Sequence, residues 1–317
     1  VTRRVGVVGA TGYVGSEVCR MVLGHPDLEL AAVTSGSKSG IRLGDAVPGL
    51  FGATDLVISS IEAGALDGLD VVILATPHGA AKDIVGKIGS TPVIVDCSAD
   101  HRHAPGWVYG QPEWKAEALR GATRIAAPGC FASALLLGIA PFVASGTVAG
   151  PVHSVGATGS TGSGAAPSAG THHPERFVNL KAYKVLSHQH VPEVRTFLAG
   201  LGDAPPLAFV PLSAPLDRGI FVTSFIPVVP GTNAATVVAD AYAGQRLVRI
   251  RKDSPEVRWV RGTAHCDVSV HQDGDTAVVL TAIDNLGRGA ATQAVQALNV
   301  ALGFEPWRGL PLVPATP

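Results

Sequence analysis

Charge is scarce in this chain. Asp, Glu, Lys and Arg make up only 15% of the 317 residues and the formal net charge is -1, so there is no basic field to hold nucleic acid and no acidic tract to solvate a tail. The four cysteines, Cys19, Cys97, Cys130 and Cys266, include no CxxC pair, which argues against a zinc ribbon and a disulfide framework and fits a reducing cytoplasm. Long apolar runs are also missing: the most apolar segment, 130–143, contains Pro141 and is too short to span a bilayer. The chain passes from Val1-Thr2-Arg3-Arg4 straight into a strand-like run, leaving no room for a signal peptide, so a cytoplasmic protein without a membrane partner is expected. What is plentiful is apolar surface for sizeable cores, 46% of residues, together with 38 glycines and 23 prolines spread along the chain as turn formers.

The opening stretch RRVGVVGATGYVGSEVCRMVLGHPDLELAAVTSGSKSG reads as a β-rich run, a glycine turn, a helical stretch and a second strand over 28–33, one βαβ unit. Gly9, Gly12 and Gly15 form G-x-x-G-x-x-G, a spacing variant of the dinucleotide fingerprint. Glycine there permits a tight turn, lets main-chain N–H groups approach a pyrophosphate and lets the helix lie close to the strand. Beyond the second strand, where a carboxylate would bind a ribose 2′-hydroxyl, stand Thr34, Ser35, Gly36, Ser37 and Lys38. Hydroxyls and an ammonium suit a 2′-phosphate, so NADP(H) is expected, with Ser35, Ser37 and Lys38 beside it. Two further strand-like runs, 70–75 and 92–95, end in ATPHGAA and DCSADHR, which makes His78 and Asp100 candidates for the edge of a site.

Pro128-Gly129-Cys130 follows a strand-like run over 123–127 and precedes a helical run over 131–143. A cysteine in the first turn of a helix meets unpaired N–H groups and the positive dipole end, which stabilise a thiolate and can serve a developing oxyanion. A single cysteine in an apolar segment is also a common inert core residue. What favours chemistry is the supply of partners downstream, His172-His173 and His188-Gln189-His190, beyond a glycine- and serine-rich loop. The HxH spacing also fits a metal, but no cysteine or carboxylate cluster at ligand spacing accompanies it, and no metal is expected.

GATGYVG, ATPHG, DCSADHR, APGC, HQHVPEV, RGTAHCDV and AIDNLGRGAATQAVQALN occur in this order along nearly the whole chain. In these motifs the chain resembles the N-acetyl-gamma-glutamyl-phosphate reductase family, a relative of aspartate-semialdehyde dehydrogenase. The resemblance implies that Cys130 forms the covalent intermediate and that His188, matching the first histidine of an H-R-H motif, is the acid/base, with His190 as the runner-up. Gln189 stands where that motif has arginine. Cofactor contacts are expected from Gly9, Thr11, Gly12, Tyr13, Val14, Gly15, Pro77 and Asn285 besides the phosphate-binding residues, and substrate contacts from Arg102, Ser160, His173, Arg176 and Arg218. The segment THHPERFVNLKAYKVLSHQH resembles HHPER segments in reductases of the lysine route, whose amino acid is attached to a small amino-group carrier protein. This favours a carrier-bound aminoadipyl or glutamyl phosphate. Arg176, Lys181, Arg249, Arg251 and Lys252 would then face an acidic carrier. Free N-acetyl-glutamyl phosphate of arginine synthesis, or an aspartate-semialdehyde-dehydrogenase-like reaction, is the alternative.

The second half reads as β-rich, with strand-like PLAFVPLSAPLDRGIFVTSFIPVV, VRWVRGTAHCDVSVHQ and TAVVLTAID around a helical stretch at 235–243. The expected fold is α/β: a Rossmann-type dinucleotide-binding domain from 1–129 and 285–317, and an α+β substrate and dimerisation domain over 130–284 with a mostly antiparallel sheet. The helix-like spacing over 287–302 would return the chain to the first domain, and Cys266 would be packing. With so few charges, a homo-oligomer, dimer or tetramer, is expected. The expected chemistry is reductive dephosphorylation: thiolate attack on an acyl phosphate, loss of phosphate, hydride transfer to the thioester, and a proton from His188. A nucleotide-binding regulator without a nucleophile, and a dehydrogenase that oxidises an aldehyde with water, are the rival classes.

Overall fold

The short β-branched runs of the first third are buried on both faces, the pattern of a parallel sheet covered by helices. In the computed structural model, which describes residues 2–61, 64–89 and 92–315, they form six parallel strands: β1 (Arg3–Val8), β2 (Leu28–Thr34), β3 (Val71–Leu74), β4 (Val93–Asp96), β5 (Val108–Tyr109) and β6 (Arg124–Ala126). Their order is β2-β1-β3-β4-β6-β5. The chain steps to one side of β1 to make β2 and to the other to make β3, so the order reverses at β1. The carboxyl ends at such a reversal form a crevice for ligands. Two bonds set its shape: Ala75 N donates to Val8 O (2.8 Å) and Gly9 N to Thr34 O (3.0 Å).

The helix Thr292–Ala301 buries all ten of its residues. It rejoins this unit through Gln293 Nε2 donating to Gly110 O (2.6 Å) and Gln296 Nε2 donating to Glu113 Oε1 (2.7 Å). The first unit comprises Val1–Gly129 and Ala290–Leu310, the second Cys130–Gly289 and Pro311–Pro317. The division differs from the sequence boundaries at both ends of the last segment. Residues 285–289 are tied to the second unit by Asp284 and Asn285, and the chain returns to it where Ala264 N donates to Pro311 O (2.9 Å) and His265 Nε2 to Leu312 O (3.0 Å). The segment 287–302 is not one α-helix. It opens with a π-helical turn, Gly287–Ala291, in which Gly289 N donates five residues back to Asp284 O (2.8 Å).

The second unit holds a seven-stranded sheet of β7 (Val152–Thr158), β8 (Lys181–Ala182), β9 (Leu207–Ser213), β10 (Ile220–Pro227), β11 (Val248–Ile250), β12 (Cys266–Asp273) and β13 (Thr276–Ile283), ordered β11-β12-β13-β10-β7-β9-β8. It is mostly antiparallel, with parallel pairs only at β11/β12 and β7/β9. Alternate residues of β9 and β10 are buried, as in a sheet with one face covered. The strand-like reading across 257–265 is corrected. Val257–Trp259 is a 3-10 turn and Gly262 takes φ +73, so β12 begins only at Cys266.

The helix Cys130–Ala144 packs on β10 and β13 and buries every residue from Phe131 to Val143, as expected for a helix apolar on all sides. Pro141 lies inside it and has no N–H to offer the carbonyl of Leu137. Tyr242 Oη supplies the missing donor at 2.7 Å. Among the described residues, no helix is long and apolar enough to cross a membrane.

Candidate active site

The glycine turn of the first unit separates into residues the chain needs for itself and one it does not. Gly9 has φ +82, and a Cβ there would stand 2.5 Å from Ala75 O; a Cβ on Gly15 would stand 2.1 Å from Gly9 O. Gly12, the residue before the helix Tyr13–Leu23, has φ -77, and an added Cβ would meet nothing nearer than Gly9 O at 3.6 Å. No internal contact demands glycine at that position. The space lies at a helix start with no side-chain cap and no acidic residue in its first turn, which fits an approaching pyrophosphate.

Thr11 Oγ1 and Ser35 Oγ share a hydrogen bond of 2.9 Å that ties this turn to the end of β2. Tyr13 and Ser37 are exposed and Val14 is half-buried. Lys38 Nζ donates to Ala46 O at 3.1 Å, leaving two of its three donors for a phosphate. Pro77 is exposed in the loop after β3. His78 Nδ1 accepts from Ala99 N (3.0 Å) and Asp100 accepts from Gly79 N (2.7 Å) and Ala81 N (3.0 Å), so the two residues lace the loops after β3 and β4 together. Arg102 Nε donates to Ala127 O (3.0 Å), bracing the chain just before Pro128.

In the second unit Cys130 is the first residue of its helix and half-buried. The other cysteines differ: Cys19 and Cys266 are fully buried, and burial pushes the thiols of Cys19 and Cys97 up to about 12. The wall beside Cys130 is Gly289, where a Cβ would fall 2.7 Å from Cys130 Cβ. Gly289 is held by Asp284, a residue fully buried in the unit. Asp284 Oδ1 accepts from Leu286 N and Gly287 N (2.9 Å each) and Oδ2 from Gly262 N (2.5 Å), while Arg218 Nε reaches both oxygens (2.7 and 2.6 Å). Neither Asp284 nor Gly289 is evident from sequence spacing. Their signal is the LGRG turn, whose glycines serve contacts with distant residues.

His188 is buried with its ring edge-to-face against Phe131 (5.5 Å), Tyr183 (5.7 Å), His190 (4.8 Å) and Phe209 (5.6 Å). Its Nδ1 accepts from His190 N at 3.3 Å, so the ring proton sits on Nε2. Burial, reinforced by the Lys184 charge, pulls its pKa down to about 4. The hydroxyl of Tyr183 is pushed up to about 12, first by burial and then by the charge of Cys130, with Arg176 opposing. Tyr183 therefore lies within electrostatic reach of both Cys130 and Arg176.

The expected arginines behave differently. Arg218 is engaged by Asp284, whereas Arg176 has no carboxylate partner among the described residues. Its Nη2 donates to Thr158 O (3.1 Å), its buried Nε has no partner among the described residues, and burial lowers its pKa. Ser160 opens the turn after β7, its N–H donating to Leu216 O (2.8 Å), and His173 is exposed, stacked on Phe177 at 4.8 Å. Asn285, expected at the cofactor, is buried in this unit. Its Oδ1 accepts from Gly219 N (2.6 Å) and its Nδ2 donates to Thr161 Oγ1 (3.0 Å), joining two loops.

Residues 4–122 match the family described as semialdehyde dehydrogenase, NAD binding domain, and residues 130–285 that described as semialdehyde dehydrogenase, dimerisation domain. The chain is 36% identical over 347 aligned residues to the N-acetyl-gamma-glutamyl-phosphate reductase of Corynebacterium glutamicum (strain R), with 100% of each covered. It is 38% identical over 334 residues to the enzyme of that name from Halorhodospira halophila, covering 96% of this chain and 97% of the relative. Among solved structures, aspartate semialdehyde dehydrogenase II from Vibrio cholerae matches with a TM-score of 0.77 at 16% identity, covering 95% of this chain and 98% of that one. The Candida albicans aspartate semialdehyde dehydrogenase, solved with NADP, matches at 0.73 and 16%, with the same coverage. At these identities the structural likeness speaks for the fold alone.

Proposed function

Because the chain belongs to the N-acetyl-gamma-glutamyl-phosphate reductase family, we propose that it reduces free N-acetyl-γ-glutamyl phosphate to the semialdehyde and releases inorganic phosphate, with Cys130 as the covalent nucleophile. It is an oxidoreductase of the semialdehyde-dehydrogenase superfamily that uses NADP(H) and acts on an acyl phosphate. Arg176 carries the proposal: a partly buried guanidinium without a carboxylate partner among the described residues, within electrostatic reach of Tyr183, which in turn feels the charge of the helix-start cysteine. Its free edge matches a phosphate.

The Cys130 thiolate attacks the acyl carbonyl, the C–O bond to phosphate breaks, and a thioester remains on the sulfur. Phosphate departs as an already ionised group held by Arg176. The glycine turn with Ser35, Ser37 and Lys38 would hold NADPH, which would supply the hydride for reduction of this thioester. The neutral ring of His188 donates a hydrogen bond from Nε2 to the oxygen as negative charge builds there. Collapse of the resulting alkoxide expels the thiolate and leaves the aldehyde, so His188 acts as a hydrogen-bond donor and need not lose its proton.

A carrier-bound aminoadipyl or glutamyl phosphate is the second reading. Exposed Phe177, Val178 and Leu180 beside Arg176 and Lys181 favour it. Against it, Arg249 is taken by the buried Asp267 (2.5 Å) and by Trp259 O (3.1 Å), and the Corynebacterium and Halorhodospira relatives are named for an acetylated compound. Val155 and Phe225, 39% and 46% exposed on the sheet of the second unit, suit a homo-oligomeric contact. The four free cysteines suit the cytoplasm. The test is NADP reduction in the reverse direction with phosphate and N-acetylglutamate semialdehyde, beside carrier-bound glutamate and aminoadipate semialdehydes. Phosphate-dependent turnover of the acetylated compound is expected. Turnover of a carrier-bound compound alone would establish the second reading, and silence with all three would refute both.

A further inference from the structure

Between β8 and the helix His190–Ala199 the chain makes a turn that its own residues disfavour. Lys184 has φ +44 and Leu186 φ +58, in the left-handed region that side chains with a Cβ rarely adopt. Such a turn persists only where its surroundings hold it. Three main-chain bonds do so: Tyr183 N to Pro211 O (3.1 Å), Leu186 N to Phe209 O (3.1 Å) and Ser187 N to Lys184 O (3.0 Å). A fourth bond runs between side chains, Lys184 Nζ donating to Gln189 Oε1 at 2.6 Å.

Gln189 lies between the two histidines. Its backbone (φ -59, ψ -22) brings His190 N back onto His188 Nδ1. That contact decides which nitrogen of His188 carries the proton. Fixing Gln189 therefore fixes the donor that the proposed reaction uses. An exposed lysine-to-amide bond is ordinarily of little consequence, but this one spans a strained turn from its first left-handed residue to the residue that orients the ring.

We propose that Lys184 and Gln189 form a clasp that positions His188, with Lys184 acting through Gln189 and making no contact with substrate. The proposal rests on the role given to His188 above, so its test includes a readout that needs no substrate. In protein labelled with 15N-histidine, the His188 signal, assigned by its loss in His188→Gln, is expected to show the Nε2–H tautomer. In Lys184→Met and Gln189→Leu the Nδ1–H tautomer is expected to become populated, while Lys184→Arg keeps the wild-type pattern. In the reverse assay each of the first two variants is expected to lower kcat about tenfold or more, as for a displaced reacting group, with KM for phosphate and semialdehyde unchanged. The double variant should be no worse than either single one, the mark of a shared interaction, and Lys184→Arg should restore turnover.

A wild-type proton on Nδ1, or an unchanged His188 signal in a folded Lys184→Met protein, would overturn the clasp. So would effects that multiply in the double variant, or a rise in KM alone, which would make Lys184 a substrate contact. Should wild-type protein fail to turn over the acetylated compound while the tautomer shifts as expected, the clasp stands and the substrate assignment falls.

Discussion

The glycine turn of the first unit and the cysteine site of the second, both proposed to receive an anion, are built by opposite means. The turn uses seven consecutive residues, 9–15, and its function shows in the one glycine, Gly12, that no internal contact requires. The cysteine site is assembled from Cys130, the short helix His173–Arg176, the turn 183–190 and Asp284–Gly289. There, the proposed role rests on how two arginines are engaged: Arg218 Nε is paired with the buried Asp284, whereas Arg176 has no carboxylate partner among the described residues and lies within electrostatic reach of Tyr183. A contiguous site reads as a motif, whereas an assembled one has to be read as a balance of partners.

The strongest way to separate the two sites is Cys130→Ser. Turnover should fall about 10^4-fold or more, while NADP binding, followed by calorimetry, stays at the wild-type value; full turnover in this variant would remove the covalent step. The glycines of the turn should part company next. Gly15→Ala puts a Cβ 2.1 Å from Gly9 O and should lower stability by about 1–3 kcal/mol in chemical denaturation, the usual cost of overpacking. Gly12→Ala should leave the denaturation midpoint unchanged and weaken NADP binding about tenfold, because only the pyrophosphate contact is disturbed. Equal loss of stability in both would mean that Gly12 is structural too.

The two arginines make the same contrast within the second unit. Arg176→Met should raise KM for phosphate about 10- to 100-fold, the worth of a charged hydrogen bond. Arg218→Met should instead lower stability by about 3–5 kcal/mol, since it leaves the buried Asp284 charge without its guanidinium, held by main-chain N–H groups alone. Exchanged outcomes would reverse the two assignments. A further effect concerns pH. The unfolded chain protonates His188 below its ordinary value of 6.5, while the folded ring resists protonation down to about 4. The unfolded state therefore binds more protons between these values, and stability contributed by the neutral ring is lost as pH falls through the window, by up to about 3 kcal/mol. His188→Gln should flatten that part of the stability profile measured by urea denaturation, and an unchanged slope would contradict the low pKa.

How much of this was legible in the sequence follows from the same contrast. The βαβ start, five of the six parallel strands and the helix at Cys130 follow from runs whose burial and turn residues are local, while the two-residue β5 (Val108–Tyr109) is too short to show such a pattern. The assembled features were not legible. Lys184 and Leu186 hold left-handed conformations that glycine or asparagine would have announced. The apolar spacing of 287–302 concealed a π-turn, because the extra residue serves the contact between Gly289 and Cys130. Asn285 and Arg249 looked available for ligands because neither the loops that engage Asn285 nor the carboxylate that binds Arg249 adjoins it in sequence.

The most direct test of the account is intact-protein mass spectrometry after mixing the enzyme with N-acetyl-γ-glutamyl phosphate in the absence of NADPH. The account predicts one N-acetylglutamyl group per chain, mapped to Cys130, released by hydroxylamine and absent from Cys130→Ser. An unmodified protein that nonetheless turns over, or an adduct on another residue, would contradict it.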